Sequence, residues 1–355
     1  MRIGESLRFG YWLDPGHNQA VEGSAFYIGR GTEGYNPTQA SPNGIGIPFI
    51  AADGSNTAYM VNRPTTTAVS TVYVNTTPAV FVHLFDRYNT LQTTGTASAN
   101  YTNSLWGTEL NYRLHTPFLR EHRLSLDVTA GVKYVSLDES LVIGTAATSS
   151  QTVYTLYDPA LGLPPSGVNG PNFVNATGTT TTTSDIIKTR NHFIGPQFGV
   201  RGDYRLDDQW SVSADVKLAL GANIESLSVS GSTTSTVAAT TTPTSAILLA
   251  GIPLQVASGA PVVTTTTTTG GTGIFASPAN CGVHDRTVFA ALPSGNFKLN
   301  YDLMPHFLTL SLGYHVFWIS DVLRASNQLV GVNAPTYTQS SILAQGLSIG
   351  AKVKF

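Results

Sequence analysis

The stretch Trp210-Ser-Val-Ser-Ala-Asp-Val-Lys-Leu-Ala-Leu-Gly221 constrains this chain most. Read with period two, Trp210, Val212, Ala214, Val216, Leu218 and Leu220 share one face. Ser211, Ser213, Asp215, Lys217, Ala219 and Gly221 share the other. Successive side chains of a strand point to opposite sides, so one apolar and one polar face are implied. The pattern recurs. Leu124, Leu126, Val128, Ala130, Val132 and Tyr134 alternate with Ser125, Asp127, Thr129, Gly131, Lys133 and Val135. Trp106, Thr108, Leu110, Tyr112 and Leu114 alternate with Gly107, Glu109, Asn111 and Arg113. Strands of about ten residues, apolar outside and polar inside, are what a membrane-spanning β-barrel requires.

Nine such strands are expected. They lie at Leu7–Leu13, Val21–Gly29, Asn103–Leu114, Arg123–Leu137, His192–Arg205, the organising stretch, Thr287–Tyr301, Phe307–Trp318 and Leu343–Phe355. Short turns near Gly16, Phe118, Asp208 and Pro305 alternate with long polar excursions at about 30–95, 144–183, 231–285 and 321–340. A soluble sandwich has no reason to sort its connections by length, whereas an outer-membrane barrel has short periplasmic turns and long external loops. The expected fold is one all-β domain over residues 1–355, an antiparallel up-and-down transmembrane barrel. With nine strands and Phe355 on the periplasmic side, Met1 falls on the outer side. A tenth strand in the precursor is therefore expected, restoring an even count.

The inward positions that follow are Glu22, Glu109, Arg113, Asp127, Lys133, Arg201, Asp203, Asp215, Lys217, Lys298, His315, Lys352 and Lys354. Their mixed signs predict a lumen crossed by ion pairs, because charges shielded from lipid must find partners or water. Two interfacial aromatic girdles are expected: Tyr112, Tyr204, Trp210, Tyr301 and Phe307 beside the short turns, and Trp106, Tyr134 and Trp318 towards the loops. Phe355 closes the last strand.

Other classes find little support. Lys and Arg total 19 against 21 Asp and Glu, which gives no electrostatic case for nucleic-acid binding. No apolar run is long enough for a transmembrane helix, and no secretory h-region opens the chain. The eight His show no metal-ligand spacing, and no phosphate loop or G-x-S-x-G motif is present, so neither cofactor nor enzymatic activity is expected. Cys281, without a second cysteine, forms no intrachain disulfide; it is read as an incidental loop residue, with an intermolecular bridge as the alternative. Thr179–Thr183 and Thr264–Thr269 are read as solvated external loop, with glycosylation or surface contacts as the alternatives.

The run Gly10-Tyr-Trp-Leu-Asp-Pro15 with Val21-Glu-Gly-Ser24 and Leu105-Trp-Gly-Thr-Glu-Leu-Asn111 resembles the planctomycete putative β-barrel porin family, the seventh numbered one. So do Ala130-Gly-Val-Lys-Tyr134, Leu137-Asp-Glu139, Thr189-Arg-Asn191, Lys217-Leu-Ala-Leu-Gly221 and Ala344-Gln-Gly-Leu347. The resemblance implies an integral outer-membrane protein in contact with lipid and lipopolysaccharide. The terminal aromatic likewise resembles the signal read by the barrel-assembly machinery. The expected function is a small porin, a passive channel for small solutes or ions. The alternative is a closed structural barrel whose Thr-rich loops mediate surface interaction, assembly or homo-oligomer contacts.

Overall fold

The computed structural model describes residues 3–36, 46–50, 56–60, 63–76, 80–116, 123–157, 173–241, 244–249, 252–257, 260, 262–304, 307–329 and 337–353. Among these residues fifteen strands run in order: β1 Gly4–Trp12, β2 Gln19–Tyr35, β3 Gly46–Ile50, β4 Asn56–Met60, β5 Arg63–Thr76, β6 Val80–Thr116, β7 Leu124–Tyr157 and β8 Phe173–Arg205. There follow β9 Trp210–Thr241, β10 Thr244–Leu249, β11 Ile252–Ala257, β12 Val262–Gly270, β13 Gly282–Met304, β14 Leu308–Leu323 and β15 Gln339–Val353.

The main sheet is ordered β1-β2-β6-β7-β8-β9-β13-β14-β15, so its path holds nine strands, the expected number. Every pairing is antiparallel between neighbours, as in an up-and-down barrel. Turns 13–18 and 206–209 sit at one end, with the β6–β7 and β13–β14 connections. The first is tied by Asp14, whose carboxylate accepts from the N–H groups of Asn18 at 2.9 Å and Gln19 at 2.7 Å. β1 and β15 run in the same direction, and no hydrogen bond joins them among the described residues.

The strands are far longer than a bilayer demands. β6 to β9 hold 37, 34, 33 and 32 residues, against about ten needed to cross. The polar excursions are thus in large part strand, not irregular loop. Thr179–Thr183 lies within β8 and Thr264–Thr269 within β12, paired to β9. Thr and Ser hydroxyls bridge neighbouring strands, as Thr145 to Thr183 at 2.6 Å and Thr236 to Thr267 at 3.2 Å. β-branched Thr suits a pleated surface and its hydroxyl pairs across it, which is why low-complexity Thr forms ladders here. Beyond the membrane the sheet becomes β5-β6-β7-β8-β9-β12, since β5 and β12 take the edges where β2 and β13 are absent.

The outer face is apolar over one band only. Leu110, Val128, Val132, Phe198, Val200, Val216, Leu218, Leu312 and Ile349 are all exposed there. At one border Trp210 packs on Tyr301 at 4.8 Å, beside exposed Tyr204 and Tyr112. At the other, Trp106 packs on Tyr134 at 5.2 Å and the Tyr134 hydroxyl meets His192 Nδ1 at 2.8 Å. Trp318 is exposed on the same outer face, whereas Phe355 and Lys354 lie outside the described residues. From Leu124 to Tyr134 a strand rises about 33 Å, or about 25 Å at a tilt near 40°, which matches the apolar band of an outer-membrane barrel.

Curling the sheet brings backbones close at specific points. A Cβ at Gly221 would lie 2.1 Å from the Ile194 carbonyl oxygen, and one at Gly195 2.3 Å from that of Leu220. The β8–β9 ladder skips Gly195 and Pro196, which has no N–H to offer, so the sheet bends there. Gly221→Ala is expected to cost about 1–3 kcal/mol in unfolding free energy, as overpacking does. Gly346→Ala, whose Cβ would meet nothing within 4 Å, should leave the unfolding midpoint unchanged. Urea titration of the refolded protein in lipid vesicles would check the pair.

Candidate functional site: the barrel interior

The interior divides into two storeys. The lower one, at the depth of the apolar outer band, is polar. Glu109 on β6 is its hub. Its carboxylate accepts from Lys217 Nζ on β9 at 2.6 Å, Gln197 Nε2 on β8 at 3.0 Å and the Ser24 hydroxyl on β2 at 3.1 Å. Lys133 Nζ on β7 stands 3.7 Å away. A contact from β6 to β9 jumps two intervening strands, so this ion pair lies as a chord across the curl.

The other expected inward charges join the same network. Arg113 pairs with Glu22 at 2.9 Å and with Asp127 at 3.6 Å, and its guanidinium lies 4.5 Å over the Trp12 ring. Arg201 meets Asp203 at 3.2 Å and Glu22 at 3.8 Å. Asp215 lies 3.5 Å from Lys217 and 3.6 Å from Arg8. Asp203 also accepts from the Ser213 hydroxyl. Lys298 and His315 face the same interior without a carboxylate within 4 Å among the described residues, and Lys352 is exposed near the short-turn end. Nine of the expected charges therefore converge in ion pairs. Arg8, on the polar phase of β1 between Leu7 and Phe9, is a further member that the sequence did not mark as a site.

The upper storey departs from the expected polar lumen. Inward positions on β7 continue as Val135, Leu137, Leu141 and Ile143, all buried, while the partly exposed outward ones become Asp138 and Ser140. On β9 Leu227 and Val229 are buried between Ser226, Ser228 and Ser230. The alternation keeps its register but reverses its chemistry. Outside the membrane water wets the outer face, so apolar groups gain by turning inward. Leu105, Val135, Leu137, Phe193, Ala219, Ala290, Leu292, Ile319 and Val322 form one apolar layer there. Leu141, Ile143, Ile187, Leu227, Val229, Phe275, Ala276, Leu323 and Ala325 form a second above it.

Two connecting segments fold into this storey. The carboxylate of Asp185 accepts from the N–H groups of Ile274, Phe275 and Ala276 at 2.8–3.1 Å, pinning residues 271–281. Burial pushes this carboxyl up from its ordinary range, against the pull of those three donors. The segment before the short 3-10 helix Ala325–Gln328 is held by Asn191, which both donates to the Leu323 carbonyl and accepts from its N–H, each at 2.8 Å. Buried Glu139 accepts from Arg324 Nε at 3.0 Å, the Ala325 N–H at 2.9 Å and the Tyr101 hydroxyl at 2.5 Å. Half-buried Cys281 packs beside the second apolar layer. Each of the three continues the inward phase of its strand; in the sequence Glu139 and Asn191 stood out only within the runs that carry the family resemblance, and Asp185 not at all.

The side chains of Glu109, Lys133 and Lys217 are only 10%, 9% and 7% exposed. Glu109→Gln would leave two ammoniums at membrane depth short of a counter-charge, and breaking a buried pair this way costs about 3 kcal/mol or more. The expected result is a lowered urea midpoint in vesicles; a loss below about 1 kcal/mol would mean a solvated network.

The described interior holds no group of three or more His, Cys, Asp or Glu side chains arranged for a metal ion. No curated protein matches the chain in sequence. Among solved structures, the pyoverdine outer membrane receptor FpvA of Pseudomonas aeruginosa PAO1 shares 8% identity, with 98% of this chain and 69% of that one covered and a TM-score of 0.10. The ferric enterobactin receptor PfeA of Pseudomonas aeruginosa shares 9% over 99% and 62%, with a TM-score of 0.11. BauA, the ferric preacinetobactin receptor of Acinetobacter baumannii, shares 12% over 99% and 70%, also at 0.11. The chain thus spans about two thirds of the length of these receptors, and the superpositions carry no argument. The family Putative beta barrel porin-7 matches residues 1–158, 169–251 and 255–355, and with that coverage the chain belongs to this family of outer-membrane β-barrels.

Proposed function

We propose that this outer-membrane protein is a non-enzymatic barrel, closed to free passage in the conformation described, which anchors a Thr-rich β-sheet at the cell surface. The observation that carries this reading is the reversed alternation above Tyr134. A hydrated path through the barrel would have to cross two apolar layers, fed by β6, β7, β8, β9, β13 and β14 and capped by two connecting segments. Water-filled lumens are lined by polar side chains along their length. Hydrophobic constrictions exclude water and ions unless they are widened.

The porin reading remains the second one, favoured by a cavity of about 720 Å³ between the charge network and the lower apolar layer. Passage through it would require the segments on Asp185 and Glu139 to leave. The outward display has its own support in the fully exposed edge strand β12 and in the extension of β6 to β9. An exposed edge presents unpaired backbone groups to a further strand, and its Thr side chains present hydroxyls.

Two measurements test the proposal. The full chain inserted in a planar bilayer should give no discrete conductance steps; reproducible steps from the unmodified protein would overturn closure in favour of the channel. Replacing residues 232–270 by a short turn should abolish contact between cells or subunits while membrane insertion persists. Contact that survives the deletion would remove the display role.

A further inference from the structure

The cavity beside the charge network has a polarity of its own. It lies under the inner sides of β1 and β15, the two strands that end the sheet. Its existence follows from small residues on those strands. β1 presents Gly4 and Ser6 inward, paired opposite Ile28 and Phe26 of β2. β15 presents Ala344, Gly346 and Ser348, opposite Phe317, His315 and Gly313 of β14. A Cβ on Gly346 would meet nothing within 4 Å, so open space begins at that backbone. At about 720 Å³ the space falls in the range of pockets for small organic ligands.

The two ends of the cavity differ. Towards the long-connection end its wall is apolar, made by Phe26, Ile28, Leu105, Leu137, Phe317 and Ile342. Towards the short-turn end it is basic. Lys298, with no carboxylate within 4 Å among the described residues, stands with Arg8 and His315, and the Asp215 carboxylate in the same lining pairs through Oδ2 with Arg8 and Lys217. A half-buried ammonium without a counter-ion at membrane depth favours an anion beside it. An apolar wall directly above favours an alkyl chain.

We infer that this cavity binds a single-chain anionic amphiphile, with its acidic head at Lys298 and Arg8 and its alkyl chain along Phe26, Leu105, Phe317 and Ile342. The occupant enters from the membrane, where such molecules partition, rather than through the capped upper storey. Neither closure nor the display role is needed for this site, so bilayer conductance and amphiphile binding fail or succeed separately.

The test uses the full chain in nanodiscs of zwitterionic phosphatidylcholine, titrated calorimetrically with dodecanoate and, separately, with dodecyltrimethylammonium. Saturable one-site binding of dodecanoate is expected, at least tenfold tighter than that of the cation. Lys298→Met should weaken dodecanoate at least tenfold and Lys298→Arg should retain it. Gly346→Trp, which fills the open space, should abolish it, with strand content by circular dichroism confirming that each variant folds. The proposal is overturned if dodecanoate only partitions as it does into empty discs, if both amphiphiles bind alike, or if folded Lys298→Met and Gly346→Trp bind like the native chain. The comparison of the two amphiphiles needs no variant, so it decides even where a substitution fails to fold.

Discussion

Lipid offers nothing to a backbone N–H or to an isolated charge, and this constraint shapes the protein at membrane depth. The strands satisfy their backbones only by pairing with neighbours, which commits the chain to one continuous sheet. The inward charges satisfy themselves only by meeting across that sheet. The contact between Glu109 and Lys217, spanning from β6 to β9 at 2.6 Å, forces the curl that brings the remaining partners together. Gly195 and Gly221 make the curl sterically feasible, since any Cβ there would collide with the opposite backbone. Lipid-facing leucines and valines, inward ion pairs and backbone glycines are thus consequences of one solvent.

The same principle, with water substituted for lipid, accounts for the upper storey. The strands do not stop at the membrane border. They keep pairing and keep their register, but their inward side chains become Leu137, Ile143, Ile187 and Leu227. A barrel of one connectivity thereby joins a membrane protein to an aqueous one, and the polar groups retained inside serve as anchors. Glu139, Asp185 and Asn191 each hold a connecting segment by hydrogen bonds to its backbone, the way buried polar groups must be satisfied.

The nine strands of the main path were legible in the sequence, because alternation over about ten residues is a strong and redundant signal. The ion pairs among Glu22, Glu109, Arg113 and Lys217 follow from the polar phase of the same alternation, whereas Lys352 on that phase is exposed. The extent of the strands was not. Thr-rich runs such as Thr264–Thr269 carry no hydrophobic alternation, so nothing local distinguishes a solvated ladder from a loop. The reversal of chemistry was written in Ser136-Leu-Asp-Glu-Ser-Leu141 and Ser226-Leu-Ser-Val-Ser230. A reading that follows only the membrane phase takes these as the fading of a strand. The pairing of Asp185 with Ile274 to Ala276 joins distant residues without a periodic signature, and only the fold reveals it.

The reversal also fixes how high the barrel rides in its bilayer. Just above the Trp106–Tyr134–His192 cluster the outer face carries Asp138 and Arg190, 3.6 Å apart, and exposed Lys188. Sinking by one pleat would draw that pair towards hydrocarbon, where an Arg or Lys costs roughly 2–4 kcal/mol near the midplane and less near the border, and an Asp costs less. Rising by one pleat would wet the valines and leucines of the band. The protein is therefore a gauge of hydrophobic thickness: a thicker membrane must thin around it, and a thinner one must swell or tilt it. Membranes that match the distance between the two aromatic borders will retain it, and those that do not will deform or exclude it.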